Sequence, residues 1–153
     1  MIDPRLHYAA RLSRESGLGF RITFAPALQA ERRAGLPDWE GTAASAEAAL
    51  DSAGKALDDW LRARLKSGEV LLRPGVPPAE RGDCAQIQPA PRVALAALLR
   101  MTQHENGWTR TGMAVRVGVS QRELAELEDP DSHPSEELIA KGVKAASALA
   151  LRR

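Results

Sequence analysis

The sequence predicts an α+β protein: a small antiparallel sheet with one packed helix, followed by an all-α helix-turn-helix domain. Three observations carry this. Apolar residues alternate over two short runs near the N-terminus, the period of half-buried strands. They recur every three or four positions over residues 45–66, the period of an amphipathic helix. Beyond a proline-rich stretch only helical periods remain, one pair of them broken at Gly118.

The first run, LHYAARL over residues 6–12, puts Leu6, Tyr8, Ala10 and Leu12 on one side. The second, FRITF over 20–24, does the same with Phe20, Ile22 and Phe24. Between them, residues 13–19 hold Gly17 and Gly19 and read as a turn, so the two runs form a hairpin with one buried face. A third strand is expected around 28–34, although Glu31, Arg32 and Arg33 break its pattern, and 35–42 reads as loop. The helix over 45–66 is capped by Ser45 and carries Leu50, Ala53, Leu57, Trp60, Leu61 and Leu65 at helical spacing. Asp51, Lys55, Asp58, Asp59, Arg62 and Lys66 lie opposite. Gly68 ends it, and EVLLR over 69–73 reads as a short strand. The order β-β-(β)-α-β gives an antiparallel sheet covered by one helix.

Residues 73–91 hold half of the chain's ten prolines and read as a linker, apart from an extended piece at 85–89. The expected division is therefore 1–73, an α+β domain; 74–91, a linker; and 92–153, a helical domain. In the last, helices are expected over 93–104, on either side of Gly118, and over 136–151. Their apolar positions are Leu95, Leu98, Leu99 and Met101 first, and Leu138, Ile139, Val143, Ala146 and Leu149 last.

Composition limits the function classes. A chain of 153 residues with 44 % hydrophobic and 27 % charged residues can build one domain or two small ones. A net charge of +1 does not mark a bulk polycation, so any nucleic-acid surface must be a local basic patch. The single Cys84 excludes an internal disulfide. No apolar run has membrane-spanning length and no N-terminal signal pattern is present, so no membrane and a cytoplasmic location are expected.

The stretch 110–127 carries the clearest functional signal. Met113, Ala114 and Val117 share one helical face, Gly118 marks a sharp bend, and Ser120 with Glu123 can form a capping box for a second helix. Leu124 and Leu127 give that helix an inward stripe. Small, turn and apolar residues at these spacings fit a helix-turn-helix, whose second helix lies in the DNA major groove. Tight helix pairs of this kind also occur in proteins that never meet DNA. In the DNA reading, Ser120, Gln121 and Arg122 face base edges, with Ala125 and Glu126 one turn on. Gln121 would pair with adenine and Arg122 with guanine. Arg110, Thr111 and Arg116 would touch phosphates. Glu126, Glu128, Asp129 and Asp131 would repel phosphates and are expected to turn outward or toward a partner. The last helix offers an apolar stripe for a homodimer, which would match a palindromic operator. The same stripe would equally complete the domain's own core.

Other chemistry is not indicated. Asp38, Glu40, Asp58 and Asp59 are the carboxylates a two-metal site would draw on, but a solvated helix face is the preferred reading of the last two. His7, His104 and His133 lack ligand spacing. Cys84 beside Asp83 does not favour a reactive thiolate. No catalytic residue, metal ligand or cofactor is expected, and the chain reads as a non-enzyme.

The text SAEAALDSAGKALDDWLRARLKSGEVLLRPG, with its Trp60-Leu61 pair and Gly68-Glu69 step, resembles the HicB family of type II antitoxins. The text TGMAVRVGVSQRELAELEDPDSHPSEELIAKGV resembles the C-terminal part of those members that carry a helix-turn-helix. Where that family has a phenylalanine-proline-aspartate-leucine turn, this chain has Phe24-Ala25-Pro26-Ala27-Leu28, with Leu36-Pro37-Asp38-Trp39 as a second match. The resemblance implies a HicB-like, partial RNase H-like sheet domain that blocks a small mRNA-cleaving HicA-like toxin, and a second domain that represses its own operon through double-stranded operator DNA. It also implies a homodimer or homotetramer. Phe24 and Trp39 are candidate partner contacts, Trp39 being as well suited to close the small core. The alternative is a helix-turn-helix transcriptional regulator whose N-terminal domain binds a ligand or only oligomerises.

Overall fold

The computed structural model describes residues 6, 8–15, 17, 19–24, 40–68, 71 and 84–150. They form four strands and five helices in the order β1 (Tyr8–Glu15), β2 (Gly19–Phe24), β3 (Glu40–Ala43), α1 (Ala46–Ser67), β4 (Cys84–Ile87), α2 (Pro91–Glu105), α3 (Arg110–Val117), α4 (Gln121–Glu128) and α5 (Glu136–Ala150). The α+β class is as expected. The chain divides into two compact units. Residues Leu6–Trp60 and Leu72–Ala90 make a sheet unit, and Leu61–Leu71 with Pro91–Arg153 make a helical unit. No described helix is long and apolar enough to cross a membrane.

The sheet is antiparallel throughout, in the order β3-β2-β1-β4. The alternation read from the sequence sets its inner face: Tyr8, Ala10, Ile22, Phe24 and Ile87 are buried. Ala10 pairs with Phe24, Leu12 with Ile22, and Tyr8 with Ile87, so same-face residues meet across each ladder. On α1 the buried positions Ala49, Ala53 and Leu57 repeat every fourth residue, and Trp60 meets Tyr8 edge to face at 6.3 Å between ring centroids.

Three expectations about the strands need correction. β1 runs on to Glu15, where a turn is expected from residue 13, because Ser13, Arg14 and Glu15 pair with Arg21, Phe20 and Gly19. Gly19 takes φ 87°, and a Cβ there would collide with the Ala43 carbonyl, so only glycine lets β2 and the end of β3 approach this closely. The third strand expected at 28–34 lies outside the described residues. The third strand observed, β3, falls at the end of the expected 35–42 loop, where Gly41 and Ala43 set small residues opposite Ile22 and Phe20. Of the strand expected at 69–73 only Leu71 is described, and it is buried outside any strand. The strand on the far side of β1 is β4, within the expected linker, at the extended piece read near 85–89. Prolines on its C-terminal flank stop a strand, but they do not prevent four residues ahead of them from pairing.

In the helical unit the core is Leu95 and Leu99 of α2, Met113, Ala114 and Val117 of α3, Leu124 and Leu127 of α4, and Leu138 and Ala145 of α5. Ile139, Val143, Ala146 and Leu149 pack against it, so the apolar stripe of α5 faces its own unit. The last turns of α1 join this unit: Arg62 and Lys66 both form ion pairs with Asp131. α2 starts at Pro91, two residues earlier than expected, since proline's fixed φ suits the first helical position.

Candidate nucleic-acid interface

The surface singled out by the sequence is built by α3, a three-residue turn and α4. Thr109 opens α3, its Oγ1 accepting from the Gly112 N–H at 3.0 Å. Gly118 closes it in the left-handed region at φ 83°, ψ 34°. The Gly118 N–H donates to the Ala114 and Val115 carbonyls at 2.9 and 3.2 Å, and the Val119 N–H donates to Ala114 at 3.0 Å. Those bonds occupy carbonyls that would otherwise be orphaned at the helix end and fix the bend.

The second helix starts with the expected capping box. Ser120 Oγ accepts from the Glu123 N–H at 3.1 Å, and Glu123 Oε1 accepts from the Ser120 N–H at 3.0 Å. Hydrogen bonding by Ser120, its backbone N–H first, holds the Glu123 carboxyl below the usual carboxylate range. Glu123 thus serves the cap. With Leu124 and Leu127 fully buried, Gln121, Arg122 and Ala125 are left on the exposed side.

The C-terminal end of α4 is held by a residue the sequence reading missed. Arg92, next to Pro91 on α2, donates from Nη1 to the Leu127 carbonyl at 2.7 Å. From Nη2 it donates to the Glu126 and Asp129 carbonyls at 2.6 and 2.8 Å and to Ser132 Oγ at 3.1 Å. Burial pushes the guanidinium's pKa below its usual value, while Asp129 acts in the opposite sense. An arginine at the start of a helix gives no sequence signal for such a role.

The acidic residues after α4 do not all turn outward. Glu128 is only 4 % exposed, and its Oε2 lies 3.1 Å from Arg110 Nη2 and 3.9 Å from Arg100 Nε. The expectation fails here because α4 closes on α2 and α3 at this turn, and two arginines compensate the buried charge. Asp131 is taken up by Arg62 and Lys66, which lower its pKa, the Lys66 hydrogen bond most. Asp129 remains exposed, its Oδ1 accepting from the Asp131 N–H at 3.0 Å.

The predicted contact residues are all exposed, and several have partners that refine their roles. Arg110 is exposed and tied to Glu128. The Arg116 guanidinium stacks 4.2 Å from the Trp108 ring centroid, a cation–π contact the sequence reading did not foresee. Thr111 Oγ1 accepts from Gln121 Nε2 at 2.8 Å. The Ser120 hydroxyl is engaged in the cap. Arg122 is exposed and has no partner among the described residues. Val115, at 73 % exposed, is the large apolar side chain left open on α3.

Of the partner-contact candidates, Phe24 is buried at 7 % exposure and belongs to the sheet's inner face, because its position in the alternation points it inward. It does not present a free surface. Trp39 lies outside the described residues, as do Asp38 and His7. Asp58 Oδ1 accepts from the Ala90 N–H at 2.8 Å, a structural task for one of the adjacent carboxylates. Among the described residues no three His, Cys, Asp or Glu side chains come together as metal ligands. No family model matches the chain, and no curated protein matches it.

Proposed function

We propose that this chain binds duplex DNA sequence-specifically through α4, and that it acts as an antitoxin that represses its own operon. The observation that carries the DNA reading is the α3–turn–α4 geometry. A left-handed glycine bend and a capping box bury one side of α4 and leave Gln121, Arg122 and Ala125 exposed along its N-terminal half. An exposed helix N-terminus with a free arginine and an amide suits major-groove readout. Arg110 and Arg116, on the neighbouring helix, suit phosphate contacts that position the domain. The antitoxin half of the reading rests on the HicB-like text and on the sheet-and-helix unit that precedes the helical one. In this reading the sheet unit holds a small HicA-like toxin, the chain is not an enzyme, and a homodimer or homotetramer spans a palindromic operator.

Fluorescence anisotropy with duplexes from the region upstream of the chain's own gene tests the first half. Arg122→Ala is expected to weaken the preferred duplex and relax one base position, whereas Arg116→Ala weakens all sequences alike. Equal loss on preferred and random duplex for Arg122→Ala would refute the readout role. Co-purification with a small basic protein encoded next to the gene tests the second half.

A cleft of about 540 Å³ between α1 and β4, lined in part by Leu50, Lys55, Asp58, Ile87 and Pro89, favours a second reading. In it the sheet unit takes a small ligand and the chain is a plain transcriptional regulator. Absence of any co-purifying partner would support that alternative.

A further inference from the structure

We infer that Thr111 is a positioning residue that sets the Gln121 amide to read an adenine and reject a guanine at one base pair of the site. The inference rests on the DNA-binding reading above and deepens it by naming what commits Gln121 to the adenine expected for it. Gln121 is the first residue of α4 and is exposed, so packing does not fix its side chain. What fixes it is the 2.8 Å hydrogen bond from Nε2 to Thr111 Oγ1, across the turn from the second residue of α3.

A glutamine amide offers two N–H donors and one carbonyl oxygen. With one N–H given to Thr111, one N–H and Oε1 remain. That pair matches the adenine edge in the major groove, where the N6 amino group donates and N7 accepts. Guanine presents two acceptors there, O6 and N7, and would need both N–H donors. The Thr111 bond therefore turns a side chain that could serve either purine into one committed to adenine. Thr111 exerts this selection through Gln121 and needs no contact with a base. The phosphate contact expected for Thr111 from the sequence is compatible with this role, because a hydroxyl that accepts from Gln121 keeps its own O–H to donate. Neighbouring side chains leave the assignment clear: Ser120 and Glu123 are closed on each other, and Glu128 is buried against Arg110.

The test uses the full chain and a pool of duplexes with a randomised core, from which the preferred duplex is selected. Anisotropy titrations then follow every base substitution in that duplex for the wild type, Gln121→Ala, Thr111→Val and Thr111→Ser. The wild type is expected to prefer adenine over guanine at one position by about 5- to 160-fold, the range of a good bidentate contact. Replacing that adenine by 7-deazaadenine, which lacks the N7 acceptor, should remove most of the preference. Gln121→Ala and Thr111→Val should each lose it, the second by accepting guanine, while Thr111→Ser, which keeps the hydroxyl, retains it. A simple loss of fold or affinity in Thr111→Val would weaken all duplexes equally and leave the base profile unchanged, which would overturn the inference. So would a wild-type profile in Thr111→Val when Gln121→Ala relaxes the adenine, or a Gln121→Ala that relaxes no position. In these cases DNA binding itself stands. If the pool yields no preferred duplex, the DNA reading fails and takes the inference with it.

Discussion

Arg92→Ala measures how firmly α4 is held. The arginine donates to three carbonyls at the end of α4 and to Ser132. A hydrogen bond from a charged donor contributes about 1.5–3 kcal/mol, but these do not simply add. The Glu126 and Asp129 carbonyls keep other donors, the Asp129 N–H and Ser132 Oγ for the first and the Ser132 N–H and Oγ for the second. Leu127 is fully buried, and its carbonyl would lose the Arg92 bond with nothing to replace it among the described contacts. Burying the guanidinium also costs energy, as its lowered pKa indicates, and its Nε finds no partner among the described residues. The net loss is therefore set mainly by one stranded carbonyl and the lost charge at a helix C-terminus, about 2–3 kcal/mol. Urea unfolding of the full chain, followed by far-ultraviolet circular dichroism, reads this out. With a slope of about 2 kcal/mol per molar urea, the midpoint of the helical transition should fall by roughly 1–1.5 M. Arg92→Lys keeps the charge but not the fork, and should recover about half of that. An Arg92→Ala midpoint within about 0.2 M of wild type would refute the reasoning. A lysine variant equal to wild type would show that charge alone matters and that the fork is incidental.

Glu128→Gln should destabilise the helical unit by only about 1 kcal/mol, because Arg110 is 56 % exposed and water takes up its charge once the buried carboxylate is neutral; thermal melts compare it with wild type. Gly118→Ala forces a Cβ into φ 83° and should cost about 1–2 kcal/mol, seen as a melting point lower by several degrees. Acid titration of stability tests the capping box. The Glu123 carboxyl has a depressed pKa in the folded state, so its contribution is full above the unfolded value and disappears as pH falls through the folded one. Wild type should lose an advantage over Glu123→Gln as pH drops below about 4.5, and parallel curves for the two proteins would argue against it.

What the sequence disclosed was local. Alternation at Tyr8, Ala10, Ile22 and Phe24 marked the inner face of the sheet, and the Ser120–Glu123 spacing marked the cap, since each needs only residues a few positions apart. The bend at Gly118 was legible for the same reason. Pairings across long separations were not. Nothing near Cys84–Ile87 announces that its partner is Tyr8–Arg11, and the prolines around it point to a linker. Arg92 and Glu128 look like surface charges in the sequence, because an arginine clamp or a buried ion pair is defined by which helices meet. For α4 the sequence disclosed the helix and the residues it exposes. It could not assign Thr111 and Gln121 to each other, ten positions apart across a turn.

The partnership of β1 with β4 also bears on how the protein is made. Tyr8 and Ile87 stand opposite each other in the finished sheet, almost eighty positions apart along the chain. A ribosome adding about 5–20 residues per second exposes the first strand seconds before its outer neighbour exists. Through that interval the flank of β1 that awaits β4 offers open backbone groups to any extended segment nearby. Slowing translation between the two strands should lengthen this window and increase aggregation of the nascent chain, and a chaperone that covers strand edges should reverse the effect.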